Sequence, residues 1–385
     1  MSARNGVSIA VFVFLCWGTA AAQTLTTVPH SGEAPIGYLN FVVEAGADEL
    51  TPEPRDRRRL LVETWFPAQS SGTRRKPWAS GAMGAALSGS FPFPKGFHSN
   101  IGTHTWLDAR PVATAMPAIV FSHGLSFPPT LYQSFFEDLA SRGYAVFAVS
   151  HPHGAALIEY PDGASLDMSR WPRVSIEVER QRMLARAGDE WAADLSAVIA
   201  AIRAGRIPAG LTVDRSRVAV AGHSLGGTAA GKLSRDTTLA AVAVMEGEVR
   251  ETDAADSRGS VQVAVPLLHL VGGYNRLELE RASYTPGRHA PVITAIVNGT
   301  GHAYFSDLIH FYRAYADRAW RTRHRYEVDP DRVIRIASDY MAAFFDWQVK
   351  DGSKSVLLGQ PSYGARVEGP QQAGYVEVDV TIAIQ

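Results

Sequence analysis

Val218-Ala-Val-Ala-Gly222-His-Ser224-Leu-Gly226-Gly-Thr-Ala-Ala230 decides how the rest of the chain is read. It is a short apolar run, then Gly-x-Ser-x-Gly, then small helix-forming residues: strand, sharp turn, helix. Ser224 at the tip of such a turn points its hydroxyl into a cleft. Side chains two positions before and after would collide there, so Gly222 and Gly226 have none. The turn also aims the first N–H groups of the next helix at the hydroxyl, where they favour developing negative charge. A glycine-rich turn with an incidental serine reads the same over five residues. The flanking strand and helix are what turn the pattern into a candidate nucleophile.

Working outward, the segments on either side alternate strand and helix. Pro117–Phe121 and Tyr144–Val149 are continuously apolar, as strands buried on both faces are, with a helix near Leu131–Arg142 between them. A helix at about Ser175–Arg203 carries Leu184, Trp191, Leu195, Val198, Ile199 and Ile202 at helical spacing, a core stripe. Strands at Arg217–Ala221, Leu239–Met245, Val265–Val271 and Pro291–Val297 follow, then a helix near Ile334–Val349. Ahead of them, Ile36–Glu44 and Leu60–Phe66 read as an antiparallel opening. Residues 68–110 read as an irregular excursion over the cleft, with a short helix at Ala79–Ser88. Tyr160-Pro-Asp-Gly163 is a hairpin turn. The whole predicts an α/β fold, a mainly parallel sheet with antiparallel N-terminal strands and helices on both faces.

The ends and the bulk composition bound the class. Arg4, the apolar run Val7–Trp17 and the small residues Thr19–Ala22 predict a signal peptide cleaved after Ala22. The sole cysteine, Cys16, lies inside it. The expected product is a secreted or periplasmic protein that relies on its core, not on disulfides. Residues 23–350 form the expected catalytic domain, and 351–385 a tail that adds an edge strand through Tyr375–Ile382. Of the 385 residues 19% are charged, with a net charge of −1, which gives nucleic-acid binding little electrostatic support.

A serine hydroxyl needs a base, and the base needs an orienting group. His302, in Val297-Asn-Gly-Thr-Gly301-His302, follows the last parallel strand and is the expected base. His269 lies mid-strand and reads as structural. His123, His151, His153 and His223 read as cleft walls. For the acid, Glu246 at the end of the Leu239–Met245 strand is the candidate, with Glu248 and Glu278 behind it. Asn275 stands where many hydrolases carry Asp, but it has no charge to offer. The expected oxyanion donors are the N–H groups of Leu225 and, in the His123-Gly124-Leu125 turn, of Leu125. Asn298-Gly-Thr300 matches a glycosylation sequon and reads as a tight turn. No metal or cofactor motif is present.

Phe121–Leu125, with Thr130-Leu-Tyr132 and Asp138–Tyr144 behind it, resembles the oxyanion block of the plasma-type platelet-activating-factor acetylhydrolases. Gly222–Gly227 is similar to their elbow, and Gly299–Asp307 to their histidine segment. The resemblance implies an α/β-hydrolase fold and a calcium-independent serine esterase acting on short or oxidised acyl chains of phospholipids. It also implies that the acid follows the strand after the nucleophile helix. That position is Glu246, where the family carries Asp. Bacterial-type relatives include broad carboxylesterases and polyester hydrolases, and a non-catalytic binding protein on the same fold is the alternative of another class. The partners implied are a small or lipid ester and transient contact with a lipid surface.

Overall fold

The computed structural model describes residues 25–47, 57–248, 261–275, 284–287, 290–325, 328–350, 352 and 380–384. The segment expected to be a signal peptide, Glu278 and most of the tail lie outside these. Two short strands, β1 (Leu25–Thr26) and β4 (Ile101–Gly102), pair with each other. The main sheet begins with β2 (Ile36–Ala47), β3 (Arg57–Pro67) and β5 (Thr105–Trp106). Its centre is β6 (Met116–Ser122), β7 (Ala145–Ser150), β10 (Val213–His223), β11 (Val242–Met245), β13 (Leu267–Gly272) and β15 (Val292–Val297). β16 (Val380–Ile384) closes one edge, antiparallel to β15. β8 (Leu157–Glu159) and β9 (Ser165–Asp167) form the hairpin expected at Tyr160–Gly163, and β12 (Val261–Val263) pairs with β14 (Tyr284–Pro286).

The sheet order is β16-β15-β13-β11-β10-β6-β7-β3-β2-β5. The six strands from β15 to β7 are mutually parallel, while β3 is antiparallel to both β7 and β2. The chain leaves β6 in one direction, to β7, and returns on its other side at β10. The carboxyl ends of β6 and β10 therefore flank the point where strand order reverses. Crevices open at such points because the two connections depart to opposite faces.

Alternation along the central strands explains both faces. Ile119, Phe121, Ala219, Ala221, Ala243 and Met245 point into one core, with α2 (Gln133–Ser141), α5 (Leu308–Tyr315) and α7 (Pro330–Val349). Ala118, Val120, Val218, Val220, Val242 and Val244 point into the other, under α3 (Glu177–Arg203) and α4 (Leu225–Lys232). Both sets are buried, which is why the strands read as unbroken apolar runs.

The structure differs from the sequence expectations in three places. The strand expected from Leu239 begins at Val242, since Asp236–Leu239 closes a turn instead. The excursion of residues 68–110 contains the short helix, α1 (Gly81–Ser90), capped by Ser80. Its Phe93 and Phe97 are buried against Phe311, Tyr312 and Tyr315, so much of it is packed core. Finally, the structure adds α5 and α6 (Arg318–Arg323), two short helices between β15 and α7. Among the described residues no helix is long and apolar enough to cross a membrane.

Candidate active site

β10 delivers Ser224 directly. Val218–Ala221 are fully buried and hold the strand in register with β6 and β11. Ser224 then adopts φ 58°, ψ −125°, a conformation that costs a non-glycine residue on the order of 1–3 kcal/mol. Its N–H is held by the Met245 carbonyl at 2.9 Å. A Cβ on Gly222 would overlap the Gly226 carbonyl, and one on Gly226 would overlap the carbonyls of Ser122 and His123. Close approach of helix to strand is what both glycines permit.

His302 opens a 3₁₀ turn (His302–Phe305) five residues after β15 ends, beyond the Asn298–Gly299 turn, where Gly299 has φ 74°. Its Nε2 lies 2.8 Å from Ser224 Oγ, and its Nδ1 lies 3.2 Å from Glu246 Oε2. Glu246 follows β11 in a left-handed conformation, φ 52°, and is buried. Its N–H extends the ladder to the Leu270 carbonyl, and its other carboxylate oxygen accepts the Gly272 N–H. The structure thus joins Ser224, His302 and Glu246 in one hydrogen-bonded row. The main chain of Glu248, two residues on, is tied to α4, its N–H donated to Thr228 Oγ1 at 3.0 Å. The side chain of Asn275 and all of Glu278 are outside the described residues.

The turn after β6 lies against the elbow: a Cβ on Gly124 would sit 3.2 Å from Ser224 Cβ. Its N–H groups are nearly all committed. Gly124 N–H donates to Tyr132 Oη (3.0 Å), Ser126 N–H to Gly154 (2.7 Å) and Phe127 N–H to Gly124 (3.0 Å). Among the described residues the Leu125 N–H is given to no acceptor. Leu225 is the first residue of α4, where a helix N–H has no partner of its own. A cavity of about 360 Å³ opens against Leu125, lined also by Trp171, Arg173, Val174, Met183 and Leu184. Leu184, read as core, is half-buried and faces this cavity because the first turns of α3 are largely exposed.

The other histidines are not walls of an open cleft. His123 and His151 are fully buried. His151 Nε2 meets Ser122 Oγ at 2.7 Å and its Nδ1 meets Asp194 Oδ2 at 2.7 Å, under the stacked ring of Trp191. This second Ser-His-Asp row has no solvent access. Arg58 binds Asp194 through two nitrogens, at 2.8 and 2.6 Å, and also Glu190. Burial alone would raise the Asp194 carboxyl; hydrogen bonds from Arg58 and His151 outweigh it and hold it below its ordinary value. Burial pushes the His123 and His223 imidazoles well down and His269 down to about 4, so all three are neutral near pH 7. Among the described residues no group of three or more His, Cys, Asp or Glu is placed to hold a metal ion.

A family model described as "Alpha/beta hydrolase family" matches residues 119–363, and the chain belongs to that family. It is similar to the platelet-activating factor acetylhydrolase of Canis lupus familiaris, 26% identical over 260 residues, covering 60% of this chain and 55% of that protein. A second relative of that name, from Cavia porcellus, is 28% identical over 141 residues, covering 32% of each. The chain thus spans about half or less of the length of these relatives. Among solved structures, the ferulic acid esterase from Streptomyces cinnamoneus superposes with a TM-score of 0.71 at 24% identity, covering 89% of this chain and 97% of that one. That likeness is one of fold.

Proposed function

We propose that the protein is an exported serine esterase that cleaves carboxylic esters through an acyl-enzyme. The row Ser224–His302–Glu246 carries this reading: three loop tips at the ends of β10, β15 and β11 meet at hydrogen-bond distances. Ser224 attacks the ester carbonyl while His302 Nε2 takes its proton. Glu246 fixes the Nδ1–H tautomer and balances the imidazolium charge. The Leu125 and Leu225 N–H groups receive the tetrahedral oxyanion. His302 then protonates the departing alcohol, and water repeats the sequence on the acyl group.

The substrates proposed are esters with short or oxidised acyl chains, of phospholipid type. Support comes from the relatives named platelet-activating factor acetylhydrolase and from exposed Ile176 and Val178 beside the cavity-lining segment, which suit transient contact with lipid. The second reading is a broad carboxylesterase or polyester hydrolase, which the exposure of the His302 side chain (45%) favours, since the reacting groups stand open to bulky esters.

Fluorophosphonate labelling followed by peptide mapping tests the mechanism: the adduct is expected on Ser224, and a folded protein without that adduct would leave a binding role. Hydrolysis of p-nitrophenyl esters, truncated phospholipids and polyester film, compared side by side, separates the two substrate readings. Intact mass of the exported form tests cleavage after Ala22.

A further inference from the structure

Tyr132 and His223 are deeply buried and polar, and the mechanism above uses neither. A buried hydroxyl or imidazole is costly unless its hydrogen bonds are made, and phenylalanine would fill the Tyr132 site equally well. Their bonds form one continuous chain. Gly124 N–H donates to Tyr132 Oη (3.0 Å), Tyr132 Oη meets His223 Nδ1 (2.8 Å), and His223 Nε2 meets the main-chain carbonyl of His302 (2.9 Å).

The directions of these bonds are forced. A carbonyl only accepts, so Nε2 of His223 carries the proton. The ring is neutral, so Nδ1 is an acceptor and Tyr132 donates to it. Tyr132 Oη then offers its lone pair to Gly124. The chain begins one residue from an oxyanion donor, passes through the neighbour of the nucleophile, and ends on the backbone of the base. A second tie runs beside it: Asp307 N–H donates to the Leu131 carbonyl (2.6 Å), and Asp307 Oδ2 accepts the Ser134 N–H (3.0 Å). The segment around Tyr132 is therefore fastened both to the oxyanion turn and to the histidine loop.

We propose that Tyr132 and His223 are positioning residues that set the distance between the oxyanion turn and the His302 loop. The proposal rests on the esterase reading and extends it. By committing the Gly124 N–H to Tyr132, the chain leaves the Leu125 N–H as the donor that faces the nucleophile. By holding the His302 carbonyl, it keeps Nε2 in reach of Ser224 Oγ without touching the imidazole's own titrating nitrogens.

The test uses the full-length protein and the variants Tyr132→Phe, His223→Gln and His223→Leu. For each, kcat and KM are measured on p-nitrophenyl butyrate, with inhibition by phenylboronic acid, whose tetrahedral serine adduct places an oxygen where the oxyanion forms. Tyr132→Phe is expected to lower kcat roughly 10- to 100-fold with KM within about twofold. Boronate binding is expected to weaken by a similar factor, with the unfolding midpoint little changed. His223→Gln keeps a donor near the Nε2 position and is expected to retain more activity than His223→Leu. If His223→Leu does not fold, the other two variants decide. A Tyr132→Phe protein with wild-type kcat and boronate affinity overturns the proposal, as does one whose unfolding midpoint falls while kcat below it is unchanged. A wild-type protein that neither turns over the ester nor labels at Ser224 removes the esterase reading first, and this inference with it.

Discussion

Replacing Glu246 with glutamine removes one negative charge and leaves the side chain's shape nearly unchanged. In the transition state of the proposed mechanism His302 becomes an imidazolium whose Nδ1 lies 3.2 Å from Oε2 of Glu246. Two unit charges at 3.2 Å attract by about 5 kcal/mol at an effective dielectric constant of about 20. The carboxylate is buried, but the His302 side chain is 45% exposed, and water screening reduces the attraction to about 3 kcal/mol. At about 1.36 kcal/mol per decade, that loss slows kcat by on the order of 150-fold. Tautomer adds to it. A carboxamide can turn its NH₂ toward Nδ1 and so stabilise the form with the proton on Nε2, which cannot accept from Ser224. That error extends the loss toward about 10⁴-fold. Steady-state kinetics on p-nitrophenyl acetate, with circular dichroism to verify the fold, is the assay, and Asn275→Ala is the comparison, expected to lose little. A folded Glu246→Gln protein within about threefold of wild-type kcat would refute the reasoning, and a large loss in Asn275→Ala instead would move the acid to the loop after β13.

Ser224→Ala should abolish both turnover and fluorophosphonate labelling, while Ser122→Ala leaves labelling in place, because Ser122 has no solvent access; an adduct mapped to Ser122 would contradict the burial of that second row. Gly226→Ala should destabilise by on the order of 3 kcal/mol, since its Cβ meets fixed backbone carbonyls; an unchanged urea midpoint would show that helix α4 can shift at no cost. His269, pushed down to about 4 by burial, stays neutral in the folded protein where the unfolded chain takes up a proton. Its contribution is complete above about pH 6.5 and is lost as pH falls toward 4, by about 3 kcal/mol. Asp307, pushed up to about 7 by burial, has the opposite slope, because acid relieves the penalty of burying it. The test is therefore the gap in unfolding free energy between wild type and His269→Gln, expected to narrow between pH 7 and pH 4.5; a constant gap would exclude the assignment.

What the chain declares about itself is local. Gly222 and Gly226 are legible because the clash they avoid arises within five residues, so sterics between near neighbours write the strand–turn–helix directly into the sequence. The central strands are legible because burial on both faces demands unbroken apolar runs. The place of His302 follows from its position after the last parallel strand, and that of Glu246 from chain order together with a family resemblance. Tertiary structure decided among the carboxylates the sequence offered: Glu246 reaches Nδ1 of His302 from 56 residues away, with Glu248 only two residues along the chain. It alone turned His123, His151 and His223 from wall residues into buried, neutral members of hydrogen-bonded networks. Arg58 meets Asp194 across 136 residues and Tyr132 meets His223 across 91. No pattern in the intervening residues records such pairings, because their free energy depends on burial and orientation that exist only once the sheet has closed.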